Sequence, residues 1–126
     1  MPTERILVVD DDHEFAESIA MRCRGLGFEV ETACTPLAAI ASMVAHPFDL
    51  LCLDVNMPTG NGLDFCEYLV RDSAAPQMPV IVLTGQTDRE TIFRSASLRT
   101  RYLYKSPDVW ERLRPVLEEL LPPLPL

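Results

Sequence analysis

Five short apolar runs alternate with segments of helical periodicity along the chain. The runs predict β-strands at residues 5–9, 28–32, 48–53, 80–84 and 101–104. Three of them are nearly continuous apolar stretches, which is typical of central parallel strands covered on both faces. The alternation of strands with helices predicts an α/β fold, with a parallel sheet built from right-handed crossovers.

Helical periodicity lies between the strands and after the last one, and it predicts five helices. Gly25 and Gly27 end the first helix, and Thr35 and Pro36 open the second as N-cap and first helical residue. Apolar side chains at helical spacing are expected to face the core: Phe15, Ile19, Cys23 and Leu26 in the first helix, Leu37, Ile40 and Val44 in the second, Leu63, Cys66 and Leu69 or Val70 in the third, Ile92 and Ala96 in the fourth, and Trp110, Leu113, Leu117 and Leu120 in the fifth.

The last third of the chain carries three proline signals. Ser106-Pro107 opens the fifth helix, after a fourth helix expected over residues 88–98. Pro115 lies inside the fifth helix, so we expect a kink or a break there. The Pro-rich segment 122–126 cannot be helical and is expected to be a linker stub or a frayed end. Residues 1–121 are therefore predicted to form one domain.

The composition of the chain argues against several classes of protein. The 126 residues are enough to bury a single core, and a net charge of −8 argues against direct nucleic-acid binding by this domain. No apolar stretch is long enough to cross a bilayer, so no membrane association is expected. The four cysteines show neither CxxC nor zinc spacing, and we interpret them as reduced thiols of a cytoplasmic protein.

Unusual polar residues follow four of the five predicted strands. The first strand ends in Asp10-Asp11-Asp12, the third in Asp54, the fourth in Thr84 and the fifth in Lys105. Lys105 is the only lysine in a chain with ten arginines. The carboxyl ends of parallel strands share one edge of the sheet, and this edge is where such folds bind ligands.

Each of these residues also has a simpler interpretation. Asp11 with Glu14 fits a capping box, and Asp12 fits a plain N-cap of the first helix. Asp54 fits a turn former, Thr84 fits an ordinary strand end, and Lys105 fits a solvated charge. Chance is a poor explanation for all of them meeting at one edge of the sheet.

The charges of the cluster indicate its chemistry. Carboxylates packed together repel one another unless a cation joins them or one of them is protonated. Hard oxygen ligands supplied by few side chains suit Mg²⁺, which also binds phosphate oxygens. A carboxylate beside a metal, an ammonium and a hydroxyl is equipped for phosphoryl transfer, with the carboxylate as nucleophile and the cations neutralising the phosphoryl oxygens.

Four separated motifs resemble the receiver domain of two-component response regulators, over about residues 5–121. They are Ile6-Leu7-Val8-Val9-Asp10-Asp11, Asp54-Val55-Asn56-Met57-Pro58 with Gly62 following, Val82-Leu83-Thr84-Gly85 and Tyr102-Leu103-Tyr104-Lys105. The resemblance implies a flavodoxin-like, doubly wound five-stranded parallel sheet in the order 2-1-3-4-5, with five helices.

The resemblance also assigns a metal site and an acceptor. Asp54 would be the phosphoacceptor. Asp11 would be the more direct Mg²⁺ ligand, Asp10 would act largely through water, and Asn56 would offer its backbone carbonyl. Asp12 matches no site position in the family and is better interpreted as the helix N-cap.

Three further residues would respond to the phosphoryl group. Thr84 would hydrogen-bond it, and Lys105 would form an ion pair with it. Tyr102 matches the switch aromatic that turns inward as Thr84 moves, although it also fits an ordinary amphipathic strand tyrosine. Asn56 and Gln86 would border the path of the hydrolytic water, and because neither is charged or bulky we expect a short-lived phosphoryl state.

The sequence departs from the family in three places. Lys105-Ser106-Pro107 stands where the family has Lys-Pro with a cis bond, so either the lysine approaches differently or the cis bond moves to Ser106-Pro107. Gly85 is smaller than the usual Ala or Ser. Residues 95–101 lack the family's Gly-containing turn, which leaves the shape of the fourth helix open.

The implied function is that of a signalling switch. The domain would take a phosphoryl group from a phosphohistidine of a sensor histidine kinase or phosphotransfer protein. An effector domain or output protein would then bind at helix four, strand five and helix five, and no turnover of an external substrate is expected. One alternative is a degenerate receiver that acts as a constitutive interaction module, which would need none of the cluster. Another is an aspartyl-phosphate phosphatase, which would need an acid at position 56, where this chain has Asn56.

Overall fold

A computed structural model of the chain describes residues 4–54, 56–57, 60–61, 78–85 and 101–121. The elements in chain order are β1 (Arg5–Val9), α1 (His13–Gly25), β2 (Glu29–Ala33), α2 (Pro36–Ala45), β3 (Leu50–Asp54), β4 (Asn56–Met57), β5 (Gly60–Asn61), β6 (Val80–Thr84), β7 (Arg101–Tyr104) and α3 (Val109–Leu120). All five predicted strands are present, within two residues of their predicted bounds. The predicted third and fourth helices and the segment 122–126 lie outside the described residues.

The five predicted strands form one parallel sheet in the order β2-β1-β3-β6-β7. Numbered along the chain within this sheet alone, the order is 2-1-3-4-5, which confirms the predicted topology. The two-residue strands β4 and β5 pair with each other in an antiparallel ladder outside that sheet, which the sequence pattern did not predict. The central strands β1 and β3 are apolar except for Arg5 at the start of β1 and Asp54 at the end of β3, because both faces of the sheet are covered.

Alternate residues of β1 belong to two separate cores. Ile6 and Val8 pack with the buried residues of α1 and α3, and Leu7 and Val9 pack with α2 on the opposite face. This alternation is the period of two that strand geometry imposes. The sheet is therefore a middle layer between helices, and its carboxyl edge is left for polar residues.

Helix α1 begins where its sequence predicts. Asp12 is the N-cap, and its Oδ1 accepts a hydrogen bond from the Phe15 N–H at 3.1 Å. Ile19 and Cys23 are buried as expected. Leu26 is 36% exposed, so its predicted inward position is wrong. The helix ends at Gly25 and Leu26 is its C-cap, so Leu26 lies beyond the last helical residue; the chain then turns through Gly27 at a φ of 100°.

Helix α2 presents a different face to the sheet from the one predicted. Leu37 and Val44 are 77% and 82% exposed, and Ile40 is also exposed. Ala39 is fully buried instead, and Met43 packs beside it. Both stripes have helical spacing, and they differ by a rotation of roughly 100° because each residue advances the helix by that angle. The stripe containing the small Ala39 lies against the sheet.

Helix α3 continues through Pro115 to Leu120, so of the two expectations at this proline the break is wrong, and the kink stays a prediction. Pro115 lies on the exposed side, where the loss of one backbone N–H is tolerated. Leu113 and Leu117 are fully buried as predicted, and Trp110 and Leu120 pack at the margin of the same core. This burial holds the helix on the sheet across the proline.

The composition led us to expect reduced cysteines and no membrane-spanning segment, and the described residues bear on both expectations. Cys23 and Cys52 are buried free thiols; burial raises the pKa of Cys23 to about 12 and also raises the pKa of Cys52 well above its ordinary value. Cys34 is free and exposed, and Cys66 lies outside the described residues. Across the described ranges, no helix has the length and apolar character needed to span a membrane.

Candidate functional site at the carboxyl edge of the sheet

The predicted site residues meet at one edge of the sheet. Asp10 follows β1, Asp54 ends β3, Thr84 ends β6 and Lys105 follows β7. Within the described part of the chain, the buried polar or charged residues are Asp10, Asp54 and Thr84, which are 1%, 4% and 0% exposed. Buried polar groups are costly unless they are paired, so their concentration at this edge indicates a site and not a packing accident.

Lys105 reaches into the centre of the cluster. Its Nζ lies 2.7 Å from Oδ2 of Asp10 and 3.6 Å from Oδ2 of Asp54. The ammonium also lies 4.3 Å from the centroid of the Phe15 ring, at a distance typical of a cation–π contact. The backbone N–H of Lys105 donates to the Thr84 carbonyl at 2.8 Å, which ties the two strand ends together. The sequence prediction that this lone lysine belongs to the cluster is consistent with these distances.

The Asp10 carboxyl is the most perturbed acid of the cluster. Burial raises its pKa to about 6, and the nearby Asp54 carboxylate pushes in the same direction. The Lys105 ammonium and the backbone N–H of Asp12, which donates to Asp10 Oδ1 at 2.9 Å, oppose the rise. A proton on this side chain therefore competes with a cation near neutral pH.

Three carboxylates are close enough to share one cation. One oxygen each from Asp10, Asp11 and Asp54 can lie within 4.8 Å of the others. Asp11 is exposed, and this leaves the ligand position open to water, as Mg²⁺ requires. An all-oxygen donor set with few protein ligands fits Mg²⁺. Asn56 begins β4 two residues after Asp54, and its backbone alone is described.

Other predicted residues have more ordinary positions. Asp12 is the N-cap of α1, so the capping-box alternative for Asp11 is wrong. Tyr102 is half-buried and packs against the core that contains Leu7, which fits either interpretation of it; its switch role stays a prediction. Among the residues that the structure describes, a Cβ at Gly85 would meet no atom within 4 Å. Gln86 lies outside the described residues.

Of the two alternatives that the sequence left open for the segment after β7, the cis bond at Ser106-Pro107 is wrong. Every peptide bond in the described ranges is trans, including the two around Ser106. Lys105 nevertheless reaches Asp10. Arg112, which no sequence pattern singled out, donates to the Tyr104 carbonyl and the Ser106 hydroxyl. Its position seven residues after Lys105 carries no periodic signal, because the contact depends on the shape of the turn.

Comparisons with known proteins agree with this geometry. A family profile described as "Response regulator receiver domain" matches residues 6–109. The DNA-binding response regulator MtrA of Mycolicibacterium paratuberculosis is 38% identical over 85 residues, which are 68% of this chain and 36% of that protein. The chain thus spans about a third of the length of this curated relative.

Two solved structures are similar across nearly the whole chain. Chemotaxis protein CheY4 of Vibrio cholerae superposes with a TM-score of 0.84 at 28% identity, covering 95% of this chain and 100% of that one. Response regulator TrrA of Thermotoga maritima, solved in complex with Mg²⁺-BeF, superposes with a TM-score of 0.82 at 26% identity, covering 94% and 100%.

Proposed function

The chain belongs to the family of response regulator receiver domains, and from this membership we propose that it accepts a phosphoryl group on Asp54. The observation that carries the proposal is the position of the Asp54 carboxylate. It ends a central strand, it is almost fully buried, and the Lys105 ammonium lies 3.6 Å from its Oδ2. A carboxylate held in this way is a nucleophile whose approach direction is fixed by the sheet.

The transfer itself needs little from the protein beyond position and charge. An Asp54 oxygen bonds to phosphorus while the bond from phosphorus to the imidazole nitrogen of the donor breaks. Lys105 neutralises charge on the phosphoryl oxygens, and the hydroxyl of Thr84 donates to one of them. Tyr102, on the strand beside Thr84, is the proposed reporter of that contact.

The same carboxylates are proposed to hold Mg²⁺. Asp10, Asp11 and Asp54 would supply side-chain oxygens, and Asn56 its backbone carbonyl. When bound, the ion would screen repulsion among the carboxylates and charge on the phosphoryl oxygens. The chain's own contribution is the rigid placement of Asp10 and Asp54 at adjacent strand ends.

The partners follow from the family. We propose a sensor histidine kinase or a phosphotransfer protein as donor, and an effector domain or output protein that binds the surface of β7, α3 and the predicted fourth helix. Residues 1–121 would form this unit. The net charge of −8 disfavours nucleic-acid binding by the domain itself.

Intact-protein mass spectrometry tests the acceptor assignment. Incubation of the protein with acetyl phosphate and Mg²⁺ should add one phosphoryl mass, and Asp54→Asn should abolish the adduct because the amide is not a nucleophile. Asp49→Asn is the matched control, since Asp49 is an exposed carboxylate whose Oδ2 accepts from the Arg5 N–H.

Each alternative has its own outcome in the same experiment. A folded wild-type protein with no adduct would support the degenerate interaction module, and continuous turnover of the donor without a transient adduct would support a phosphatase. An adduct of equal stoichiometry on Asp54→Asn would mean that another residue is the acceptor.

A further inference from the structure

The link between β7 and α3 is held by one side chain of the helix. Arg112 donates from Nη2 to the backbone carbonyl of Tyr104 and to the hydroxyl of Ser106. Its Nε lies 3.6 Å from Oδ1 of Asp108, and the Ser106 hydroxyl donates to that same carboxylate oxygen. These contacts close a ring of three side chains, Arg112, Ser106 and Asp108, which we refer to as the Arg112 clamp.

The clamp contacts both neighbours of Lys105, through the backbone carbonyl of Tyr104 and the side-chain hydroxyl of Ser106. The Lys105 N–H is itself bonded to the Thr84 carbonyl at 2.8 Å, so the base of the lysine side chain is held from three directions. An ammonium on a flexible four-carbon stem has many rotamers, and its end point depends on where the stem begins. Here the stem ends 2.7 Å from Asp10 Oδ2 and 4.3 Å from the Phe15 ring centroid.

We propose that Arg112 is a positioning residue that determines where the Lys105 ammonium lies among the site carboxylates. In the described contacts it reaches the turn but none of these carboxylates, so it acts through Lys105 alone. The effect on phosphoryl transfer rests on the proposed function, whereas the placement of Lys105 does not.

A purely structural role is the competing explanation. Arg112 and Asp108 are four residues apart, and a pair of opposite charges at this spacing stabilises the first turn of a helix. The Ser106 hydroxyl that donates to Asp108 lowers the pKa of that carboxyl, so the pair is charged at neutral pH. A helix-stabilising role would affect the melting temperature of the protein but not the environment of the lysine.

The single lysine makes the two explanations separable. Lysine labelled with ¹³C and ¹⁵N gives one side-chain signal set in this chain, and its ε-methylene protons should carry a ring-current shift from Phe15. Phe15→Leu calibrates that shift by removing the ring. Arg112→Ala should lose most of the shift. Arg114→Ala should not, although it removes an exposed ion pair of the same spacing on the same helix.

The rate at which the phosphoryl adduct forms on Asp54 gives the second measurement. Arg112→Ala should slow adduct formation on Asp54 roughly tenfold, because a displacement of ~1 Å in a catalytic group can cost up to ~100-fold in rate. Arg114→Ala should react at the wild-type rate. If the wild-type protein forms no adduct on Asp54, the proposed function fails, and the lysine resonances still test the positioning role.

Unchanged lysine resonances in a folded Arg112→Ala variant would overturn the proposal. If that variant does not fold, Ser106→Ala replaces it, because it removes one of the two groups that accept from Arg112 and keeps the helix pair. Ser106→Ala should displace the lysine resonances in the same direction by a smaller amount, and wild-type resonances in this variant would equally overturn the proposal.

Discussion

The ammonium of Lys105 lies closer to Asp10 than to Asp54, with Nζ–Oδ2 distances of 2.7 Å and 3.6 Å. Asp10 therefore holds the lysine next to the proposed acceptor, at a distance from Asp54 longer than that of a tight Lys105–Asp54 ion pair. A tight pair would lower the nucleophilicity of Asp54, whereas a neighbouring cation is ready to meet the charge that arrives with a phosphoryl group. This division of roles explains why both carboxylates are buried at adjacent strand ends.

The first prediction concerns Lys105→Arg, which keeps the charge and changes its shape. A planar guanidinium is longer and wider than an ammonium, and it does not fit between two carboxylates and the Phe15 ring as a point charge does. We expect the rate of adduct formation from acetyl phosphate to fall roughly tenfold or more, with little loss of stability. Arg101→Lys, an exchange at an exposed ion pair with Glu119, is the control and should react normally. Equal rates for both variants would mean that the ammonium geometry is incidental.

The second prediction concerns pH in the absence of metal. The pKa of Asp10 is raised from 3.8 to about 6, chiefly by burial, so its ionisation costs the folded state more than the unfolded state. The protonated Asp10 carboxyl therefore adds to the free energy of unfolding. This contribution is fully present below about pH 4 and is lost as pH rises through 6. The loss amounts to at most ~3 kcal/mol, since each pKa unit corresponds to about 1.4 kcal/mol.

Urea unfolding in EDTA between pH 4 and pH 7.5 measures this loss. Asp10→Asn cannot ionise, so the free energy of unfolding of this variant should fall less over that range than that of the wild type. Asp11→Asn changes an exposed carboxylate and should leave the wild-type slope intact. Parallel curves for wild type and Asp10→Asn would show that Asp10 ionises in the folded protein as it does in the unfolded chain.

The third prediction concerns Mg²⁺. An ion that binds only the folded state raises the free energy of unfolding by mass action, by about 2.7 kcal/mol at a concentration 100 times its Kd. Asp11→Ala should remove most of this gain because it deletes one of the three clustered carboxylates. Glu118→Ala removes the same charge from an exposed pair with Arg114 and should keep the gain.

The stabilisation by Mg²⁺ should also depend on pH. Mg²⁺ competes with the proton for Asp10, so the gain from Mg²⁺ should weaken as pH falls through about 6. Melting curves with and without Mg²⁺ at pH 5 and pH 8 measure it. Identical curves with and without Mg²⁺ at pH 8 would count against a metal site among these carboxylates.

The sequence predicted the sheet and its polar edge because two strong local signals agreed. Continuous apolar runs such as residues 50–53 mark central strands, and an acid such as Asp54 at the end of such a run has few structural reasons to be there. The hydrophobic pattern failed in α2, where two stripes of apolar residues have the same helical spacing and either could face the sheet. It also gave no information on contacts that depend on the shape of a turn. Arg112 is the clearest case, because nothing local distinguishes it from the other nine arginines.

The last prediction tests which face of α2 packs on the sheet. It compares the substitution of leucine by alanine at an exposed and at a buried position. Leu37 was predicted to face the core and is 77% exposed, whereas Leu113 was predicted to face the core and is fully buried. Leu113→Ala should cost about 2–5 kcal/mol, because it removes buried methyl groups and leaves a cavity. Leu37→Ala should change the free energy of unfolding by less than about 0.5 kcal/mol, as exposed substitutions generally do. Alanine is at least as good a helix former as leucine, so helix propensity adds no loss at position 37. Urea unfolding of both variants in one buffer gives the comparison. A loss at Leu37 as large as the loss at Leu113 would mean that α2 packs through the 37-40-44 stripe, and that Ala39 is not its contact with the sheet.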